Sequence, residues 1–361
     1  MGGVNRTNGG VNLPALRSHN AALVLDLLRT AGGEGISRLE LAERTGLTPQ
    51  AVSKITGRLR EEGLATEAGH RASTGGKPRT VLRLVPGAGH AVGLHLDRDE
   101  STVVLCDLTG AVVAARRSPL DLGAGAEAVV EGAAREVEAL LSEGTSDASV
   151  LGVGVALPGP LDHSRGVLRR VTGFPEWDGF PLRDALERRL GVPVVVDKDT
   201  NAAALGLAVG GAGESFAYLH LGTGLGAGLV IGGAVHRGAR TGAGEFGHQV
   251  IQLDGPVCGC GNRGCIEALC LAAVAREEVG EAARVLGAGA ANLVGLLDID
   301  LVLLGGRTVA ADPETFVRGV AAVLDARARS ADAVPVRVAS GGVAEGAAQL
   351  LLGPLFGRGD G

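Results

Sequence analysis

Apolar residues recur at helical spacing near the start of the chain, where we predict three helices. The first helix follows Pro14, and its apolar positions are Leu16, Ala21, Leu23, Leu25, Leu27 and Leu28. The second helix begins after Ser37, a favourable N-cap with Glu40 at the capping-box position, and runs through Arg44.

The third helix follows the turn Thr45-Gly46-Leu47, is capped by Thr48 and has Pro49 at its first position. Val52, Ile55 and Leu59 are spaced by three and four residues, so they face the core. Two short apolar segments follow, Leu64–Glu67 and Val81–Leu84, and the pattern predicts the paired strands of a wing. We therefore predict a winged helix-turn-helix domain over residues 13–86.

This arrangement directs a set of polar side chains outward, where a recognition helix and a wing meet DNA. The alternative is a three-helix interaction module with a solvated charged face. The candidate DNA-binding residues are Thr48, Gln50, Ser53, Lys54, Arg58, Lys77 and Arg79.

After Pro86 the pattern changes to strands. Residues 91–97, 101–107 and 111–118 predict a three-strand meander, and a helix follows over 125–141. Residues 216–221, 225–231 and 234–237 predict a second meander of the same kind. Two copies of one meander in an α/β chain indicate a duplicated domain.

Length and charge refine this organisation. A chain of 361 residues suits two or three domains. Residues 1–86 hold twelve Lys and Arg against seven Asp and Glu, a net charge of +5, whereas the whole chain carries −6 and the remainder therefore −11. A basic head on an acidic body indicates that only the head meets a polyanion. No apolar run reaches the length of a membrane span, and we expect flexible tails at 1–12 and 357–361.

One His and three Cys lie within eighteen residues: His248, Cys258, Cys260 and Cys265. Four such ligands with no spare position are typical of a closed, tetrahedral, structural zinc site. Buried free thiols and a disulfide are the alternatives. The chain has neither a signal peptide nor an even cysteine framework, so we expect the reducing cytoplasm.

Two carboxylates, Glu245 and Glu267, bracket this cluster, and carboxylate oxygens accept directed hydrogen bonds from hydroxyl groups. The stretches Gly244-Glu245-Phe246-Gly247-His248 and Cys258-Gly259-Cys260-Gly261-Asn262-Arg263-Gly264-Cys265-Ile266-Glu267 resemble the ROK family of repressors and sugar kinases. The resemblance implies zinc binding by the four clustered residues and sugar contact by Glu245, His248 and Glu267. It also implies a two-lobed, actin-like (ribonuclease H-like) effector domain, here residues 87–356, and a basic wing hook at Gly76-Lys77-Pro78-Arg79.

In kinases of this fold, the first turn of each meander cradles nucleotide phosphates through backbone N–H groups. The second turn here, Gly222-Thr223-Gly224-Leu225-Gly226, still suits a phosphate. The first, Asp97-Arg98-Asp99-Glu100-Ser101, lacks glycine and holds three carboxylates that would oppose a triphosphate. We therefore predict that the chain is not a kinase.

The sugar side matches the family better. Its Pro-Gly loop corresponds to Pro158-Gly159-Pro160, and the catalytic base of ROK kinases maps onto Asp199. Asp199 could instead be only the N-cap of the helix that follows it. Lys198 stands where the family usually has Asn, and either it pairs with Asp197 or Asp199, or it reaches an anionic group on the ligand.

Three hypotheses follow for the whole chain. The first is a sugar-responsive DNA-binding regulator that acts as a homodimer or homotetramer on double-stranded operator DNA, with no membrane partner. The second is a ROK-type hexose or N-acetylhexosamine kinase. The third is a DNA-binding scaffold that keeps the fold and senses no ligand.

Overall fold

The computed structural model describes residues 19–71, 79–144, 149–171, 173–328 and 333–358. The predicted tail at 1–12, the start of the first predicted helix, the wing tip with Lys77 and the last three residues lie outside this part of the chain. Among the described helices, none combines the length and apolar character needed to cross a bilayer.

The head is a winged helix-turn-helix, as predicted. Ser37 accepts the backbone N–H of Glu40 and the Glu40 carboxylate accepts that of Ser37, so the capping box is formed. The elements are α1 (His19–Ala31), β1 (Ile36–Ser37), α2 (Arg38–Thr45), α3 (Pro49–Glu61), β2 (Ala65–Arg71) and β3 (Arg79–Leu84). Strand β1 pairs with β3, and β3 with β2, so the wing has a third short strand that the sequence pattern did not indicate.

The first lobe of the body is a five-stranded sheet of order β10-β7-β4-β5-β6, with β4, β7 and β10 parallel. The ends of its three meander strands lie within one residue of the predicted bounds 91–97, 101–107 and 111–118. The elements are β4 (His90–Leu96), β5 (Glu100–Asp107), β6 (Val112–Pro119), α4 (Ala126–Gly144), β7 (Val150–Leu157), β8 (Leu161–Asp162), β9 (Val167–Leu168), α5 (Leu182–Leu190) and β10 (Val194–Lys198).

The second lobe repeats this plan. Its sheet has the order β15-β14-β11-β12-β13, in which β11 is antiparallel to β12 and parallel to β14. The duplicated actin-like fold is therefore confirmed. The elements from the junction of the lobes onward are α6 (Asp199–Val209), β11 (Phe216–Leu221), β12 (Leu225–Ile231), β13 (Ala234–Val235), α7 (Ile266–Ala275), α8 (Val279–Leu297), β14 (Leu301–Gly305), α9 (Arg307–Ala311), α10 (Pro313–Arg327), β15 (Val336–Val338) and α11 (Val343–Leu355).

Helices α6 and α11 pack between the two sheets at distances that only glycine permits. A Cβ atom added at Gly154 of β7 would lie 1.8 Å from the carbonyl oxygen of Ala347 in α11. One added at Gly346 would lie 2.1 Å from the Ala202 oxygen of α6, and one at Gly228 of β12 2.1 Å from the Thr200 oxygen. Backbone therefore contacts backbone at each of the three interfaces from the first sheet to the second.

The head and the first lobe share one hydrophobic core. Val24, Leu25 and Leu28 of α1 belong to the same buried cluster as Leu352 and Leu355 of α11, together with residues of β4 and β5. The Arg29 guanidinium lies 5.2 Å from the ring centroid of Phe356, and Asp26 pairs with Arg358 at 3.1 Å. The end of α11 thus fixes the head to the body.

Replacement of Gly154 by Ala is expected to lower the free energy of unfolding by about 2–3 kcal/mol, because the new methyl group overlaps the α11 backbone. Urea denaturation of the purified chain measures the change. Gly132→Ala in α4 is the matched control: its Cβ meets open space, so this change is expected to raise stability by roughly 0.5–1 kcal/mol. Equal effects of the two changes would contradict the close packing.

Candidate functional site

The predicted metal ligands come together. One ligand atom from each of His248, Cys258, Cys260 and Cys265 lies within 4.8 Å of the others. His248 ends a short 3-10 helix that starts at Phe246, and Cys265 is the residue before α7. All five cysteines of the chain are free, so the disulfide alternative is wrong, and Cys270 is buried elsewhere against the Ala282 carbonyl.

The spacing of the cluster fits a tetrahedral ion. Cys260 Sγ lies 3.7 Å from Cys265 Sγ, and Cys258 Sγ lies 3.7 Å from His248 Nδ1. Two sulfurs bound at about 2.3 Å across a tetrahedral angle stand roughly 3.75 Å apart. The loop is shaped by Gly264 (φ +67°), where a Cβ would overlap the Gln252 carbonyl oxygen. These four residues can therefore hold a metal ion.

The two carboxylates beside the cluster enter the cleft between the lobes. Glu267 lies in the first turn of α7, and its Oε2 accepts the Leu225 backbone N–H at 2.9 Å. Glu245 follows Gly244 (φ +83°), whose backbone oxygen accepts the Ala227 N–H at 3.0 Å. The metal loop and strand β12 together thus set the position of both carboxylates.

Lys198 has a different internal partner from the two that the sequence suggested. Its side chain is only 3% exposed, and Nζ donates to the Ala243 carbonyl and to Glu245 Oε1, the latter at 3.1 Å. The predicted pairing with Asp197 or Asp199 is wrong, because Asp197 is already paired with Arg237 at 2.7 Å. Asp197 also accepts the Asn201 amide and the Lys198 backbone N–H. Lys198 therefore neutralises part of the charge on Glu245.

Asp199 is the first residue of α6, and Lys198 occupies the N-cap position without a side-chain cap bond. The N-cap alternative for Asp199 is thus wrong by one residue. Asp199 Oδ1 accepts the Thr200 N–H at 2.6 Å, and Oδ2 has no hydrogen-bond partner in the described part of the chain. An ionised carboxylate oxygen facing a cleft is an acceptor for a ligand hydroxyl.

All six predicted ligand residues line one cleft between the lobes: Gly159, Lys198, Asp199, Glu245, His248 and Glu267. The carboxyl ends of the parallel strands β7 and β10 meet at this edge of the sheet, as is usual for ligand sites in such sheets. A Cβ at Gly159 would lie 2.7 Å from the Lys198 side chain, so this glycine gives the lysine its room. Arg98 and His220 also line the cleft. Arg98 lies in the first turn, which was read only for its carboxylates, and His220 lies near the end of β11, where no short motif marks it.

The acidic first turn reaches across the cleft. Asp97 Oδ1 accepts the Thr223 hydroxyl at 3.0 Å, and Asp99 pairs with Arg307 of α9 at 2.9 Å. Burial alone would raise the pKa of Asp97, but the Arg98 backbone N–H, His95 and the Thr223 hydroxyl hold this pKa below its usual value. Side chains of the protein therefore bridge the space between the turns at residues 97–101 and 222–226.

The recognition helix presents most of the predicted side chains to solvent. Thr48, Gln50, Ser53 and Lys54 are exposed, as is Arg79 at the start of β3. Thr48 also accepts the Ala51 N–H and thereby caps α3. Arg58 is less free than expected, since its side chain is 38% exposed and lies 3.8 Å from Glu62. Lys77 lies outside the described residues.

This fold and site define a DNA-binding protein whose body is a two-lobed, actin-like ligand domain with a Cys/His metal loop. The ROK family profile matches residues 91–273, and a winged helix-turn-helix DNA-binding profile matches residues 24–66. The chain belongs to the ROK family.

Named relatives and known structures agree with this assignment. The xylose repressor of Caldicellulosiruptor bescii is 30% identical over 260 residues, which cover 71% of this chain and 64% of the relative. The DNA-binding transcriptional dual regulator NagC of Escherichia coli is 30% identical over 275 residues, covering 74% and 66%. A crystal structure of a ROK family transcriptional regulator, a homologue of the E. coli MLC protein, has a TM-score of 0.78 at 22% identity and covers 93% of this chain and 96% of its own.

Proposed function

We propose that the protein is a sugar-responsive regulator of transcription, acting as a repressor of genes for carbohydrate metabolism. The observation that carries the proposal is the cleft, which Asp199, Glu245 and Glu267 line together within a domain fixed to a winged helix-turn-helix head. Relatives are named for xylose and for N-acetylglucosamine, so these two sugars are the first candidate ligands.

The proposed contacts follow from hydrogen-bonding chemistry. Asp199 Oδ2 and the Glu245 carboxylate accept hydroxyl protons, and His248 adds a ring nitrogen. Gly159 leaves room beside Lys198, which donates to Glu245 and so fixes which carboxylate oxygen faces the ligand. Because Lys198 is already satisfied by two acceptors, we favour a neutral sugar over an anionic one.

The proposed DNA contacts are Thr48, Gln50, Ser53, Lys54 and Arg79, with Lys77 in the wing tip. We propose that Arg58 also contacts DNA, and that it does so by exchanging its partner Glu62 for a backbone phosphate. Palindromic operators are bound by symmetric dimers, so we propose a homodimer or homotetramer that acts in the cytoplasm, where its DNA partner is found.

Zn²⁺ is the proposed ion of the metal loop. Three thiolates and one imidazole favour zinc over the hard cations, and a full set of four protein ligands favours a structural role over a catalytic one. Its contribution is to hold the loop from which Glu245 and Glu267 enter the cleft.

A sugar kinase is the second candidate, because Asp199 is retained at the position of the family's catalytic base. The ROK glucokinase of Streptomyces griseus, crystallised with glucose and AMPPNP, is 26% identical over 73% of this chain, with a TM-score of 0.62. We favour the regulator, because the Asp97–Thr223 and Asp99–Arg307 contacts place carboxylates where a triphosphate would need donors.

Purified protein is expected to contain about one zinc per chain, as measured by elemental analysis. Cys260→Ser removes one ligand and is expected to lower zinc affinity by at least about 100-fold, with a fall in thermal stability. Cys270→Ala, outside the cluster, should keep the full zinc content. Metal-free protein with unchanged stability would refute the zinc site.

Lys54→Ala is expected to weaken binding to a DNA fragment that the full chain selects from a random-sequence pool. Loss of one phosphate or base-edge contact should also reduce the slope of log affinity against log salt by about 1. Gel shifts at several salt concentrations measure both effects. Arg276→Ala, an exposed change far along the body, is the matched control and should behave as the parent chain.

The same fragment tests the sensing function. Addition of xylose or N-acetylglucosamine should change the DNA affinity of the parent chain, whereas Asp199→Ala should bind DNA normally and ignore the sugar. If no sugar changes DNA affinity or binds in calorimetry, the scaffold that senses no ligand replaces the sensor.

A coupled assay with ATP, magnesium and glucose, xylose or N-acetylglucosamine is expected to stay at background, because the first turn offers no glycine-lined site for phosphates. Sugar-dependent turnover that Asp199→Asn abolishes would establish the kinase instead.

A further inference from the structure

A second chamber lies beside the cleft. Glu245 and His248 form part of the wall of both spaces, so the two are adjacent. The cavity volume is about 80 Å³ in the cleft and about 530 Å³ in the second chamber, and both are open to solvent. Pockets of roughly 300–1,000 Å³ suit ligands of drug-like size, and the second chamber lies within this range.

We propose that the second chamber is a subsite for a second sugar ring, so that the ligand is a disaccharide or longer oligosaccharide rather than a free monosaccharide. This inference rests on the proposed sugar-sensing function. The first ring binds at Asp199, and the glycosidic linkage passes between Glu245 and His248.

The walls of the chamber have the chemistry that a sugar ring requires. Among the described residues, Pro160 and Pro175 supply apolar surface for the C–H face of a ring. Arg170 and Asp178 stand at the rim, 4.0 Å apart, with side chains 88% and 53% exposed. A guanidinium only donates hydrogen bonds and a carboxylate only accepts them, so this pair can donate to one sugar hydroxyl and accept from another.

The chamber is formed by both lobes and is held by a contact between them. Pro160 and Pro175 come from the segment between β7 and α5, and Gly242 comes from the loop that leads to the metal cluster. His163 of the first side is bound to the Thr241 hydroxyl of the second, its ring Nδ1 at 2.8 Å and its backbone N–H at 3.3 Å. Thr241 has a φ of +57°, which is rare for a β-branched residue and indicates that surrounding contacts impose it.

Gly242 offers a way to fill the chamber without disturbing the cleft. A Cβ at this position meets no atom within 4 Å, and its φ is not in the left-handed region. Gly242→Phe therefore places a ring in the chamber, and Gly280→Phe, at an equally open position at the start of α8, is the matched control.

Calorimetry on the full chain compares xylose with β-1,4-xylobiose, and N-acetylglucosamine with its β-1,4-linked dimer. One of the two dimers should bind about tenfold more tightly than its monomer, the gain that about 1.4 kcal/mol of added contacts gives. Gly242→Phe should reduce that dimer to the affinity of its monomer, while Gly280→Phe changes neither. If Gly242→Phe does not fold, the double change Arg170→Ala and Asp178→Ala, at two exposed side chains, should cut the same gain by at least about threefold.

The outcomes separate the two proposals. Equal affinity for monomer and dimer, or a dimer advantage that survives both the Gly242 and the rim variants, would overturn the second subsite and leave the sugar sensor intact. No binding of any of the four sugars would overturn the subsite and the sensor together.

Discussion

The central layers of this molecule depend on direct contact between backbones. Helices α6 and α11 lie between the two sheets, and at Gly154, Gly346 and Gly228 there is no space for a single methyl group. Close-packed interiors transmit a shift of one layer to the next because they are nearly incompressible. The candidate ligand residues Lys198 and Asp199 stand at the start of α6, and the head rests on the end of α11, so the cleft and the head are joined through this layer.

Two carboxylates in the cleft accept hydrogen bonds from other groups of the protein. In a nucleotide-binding relative of this fold, backbone donors and cations face phosphates. Here Glu267 accepts the Leu225 N–H, and Asp97 accepts the Thr223 hydroxyl. Two internal carboxylates thus satisfy donors in the turn where phosphate oxygens would bind. The contact between Asp97 and Thr223 also links the two lobes directly.

The sequence was sufficient for local features and for sites made of sequence neighbours. The capping box at Ser37, the meander strands and the cluster from His248 to Cys265 were predicted because helical and strand periodicity, cap chemistry and ligand spacing are short-range signals. The partner of Lys198 was not predictable in the same way. Its partner Glu245 lies 47 positions away in the sequence. Lys198 pairs with Glu245 rather than with Asp197 because Asp197 is paired with Arg237, a contact that the sequence does not indicate. The Asp99–Arg307 pair spans 208 positions and has no periodic signal at all. The partial burial of Arg58 against Glu62 was missed because helical spacing gives a direction but not a rotamer.

The shared core of head and body affects how such a protein can be recombined. Winged helix-turn-helix heads are often treated as exchangeable modules joined by a linker. In this chain Leu355 and Phe356, which lie far from α1 in the sequence, pack in the same hydrophobic core as α1. A transplanted head would therefore need to bring the matching segment around Leu355 and Phe356 with it, because a substitution on either side of this core changes the packing of both.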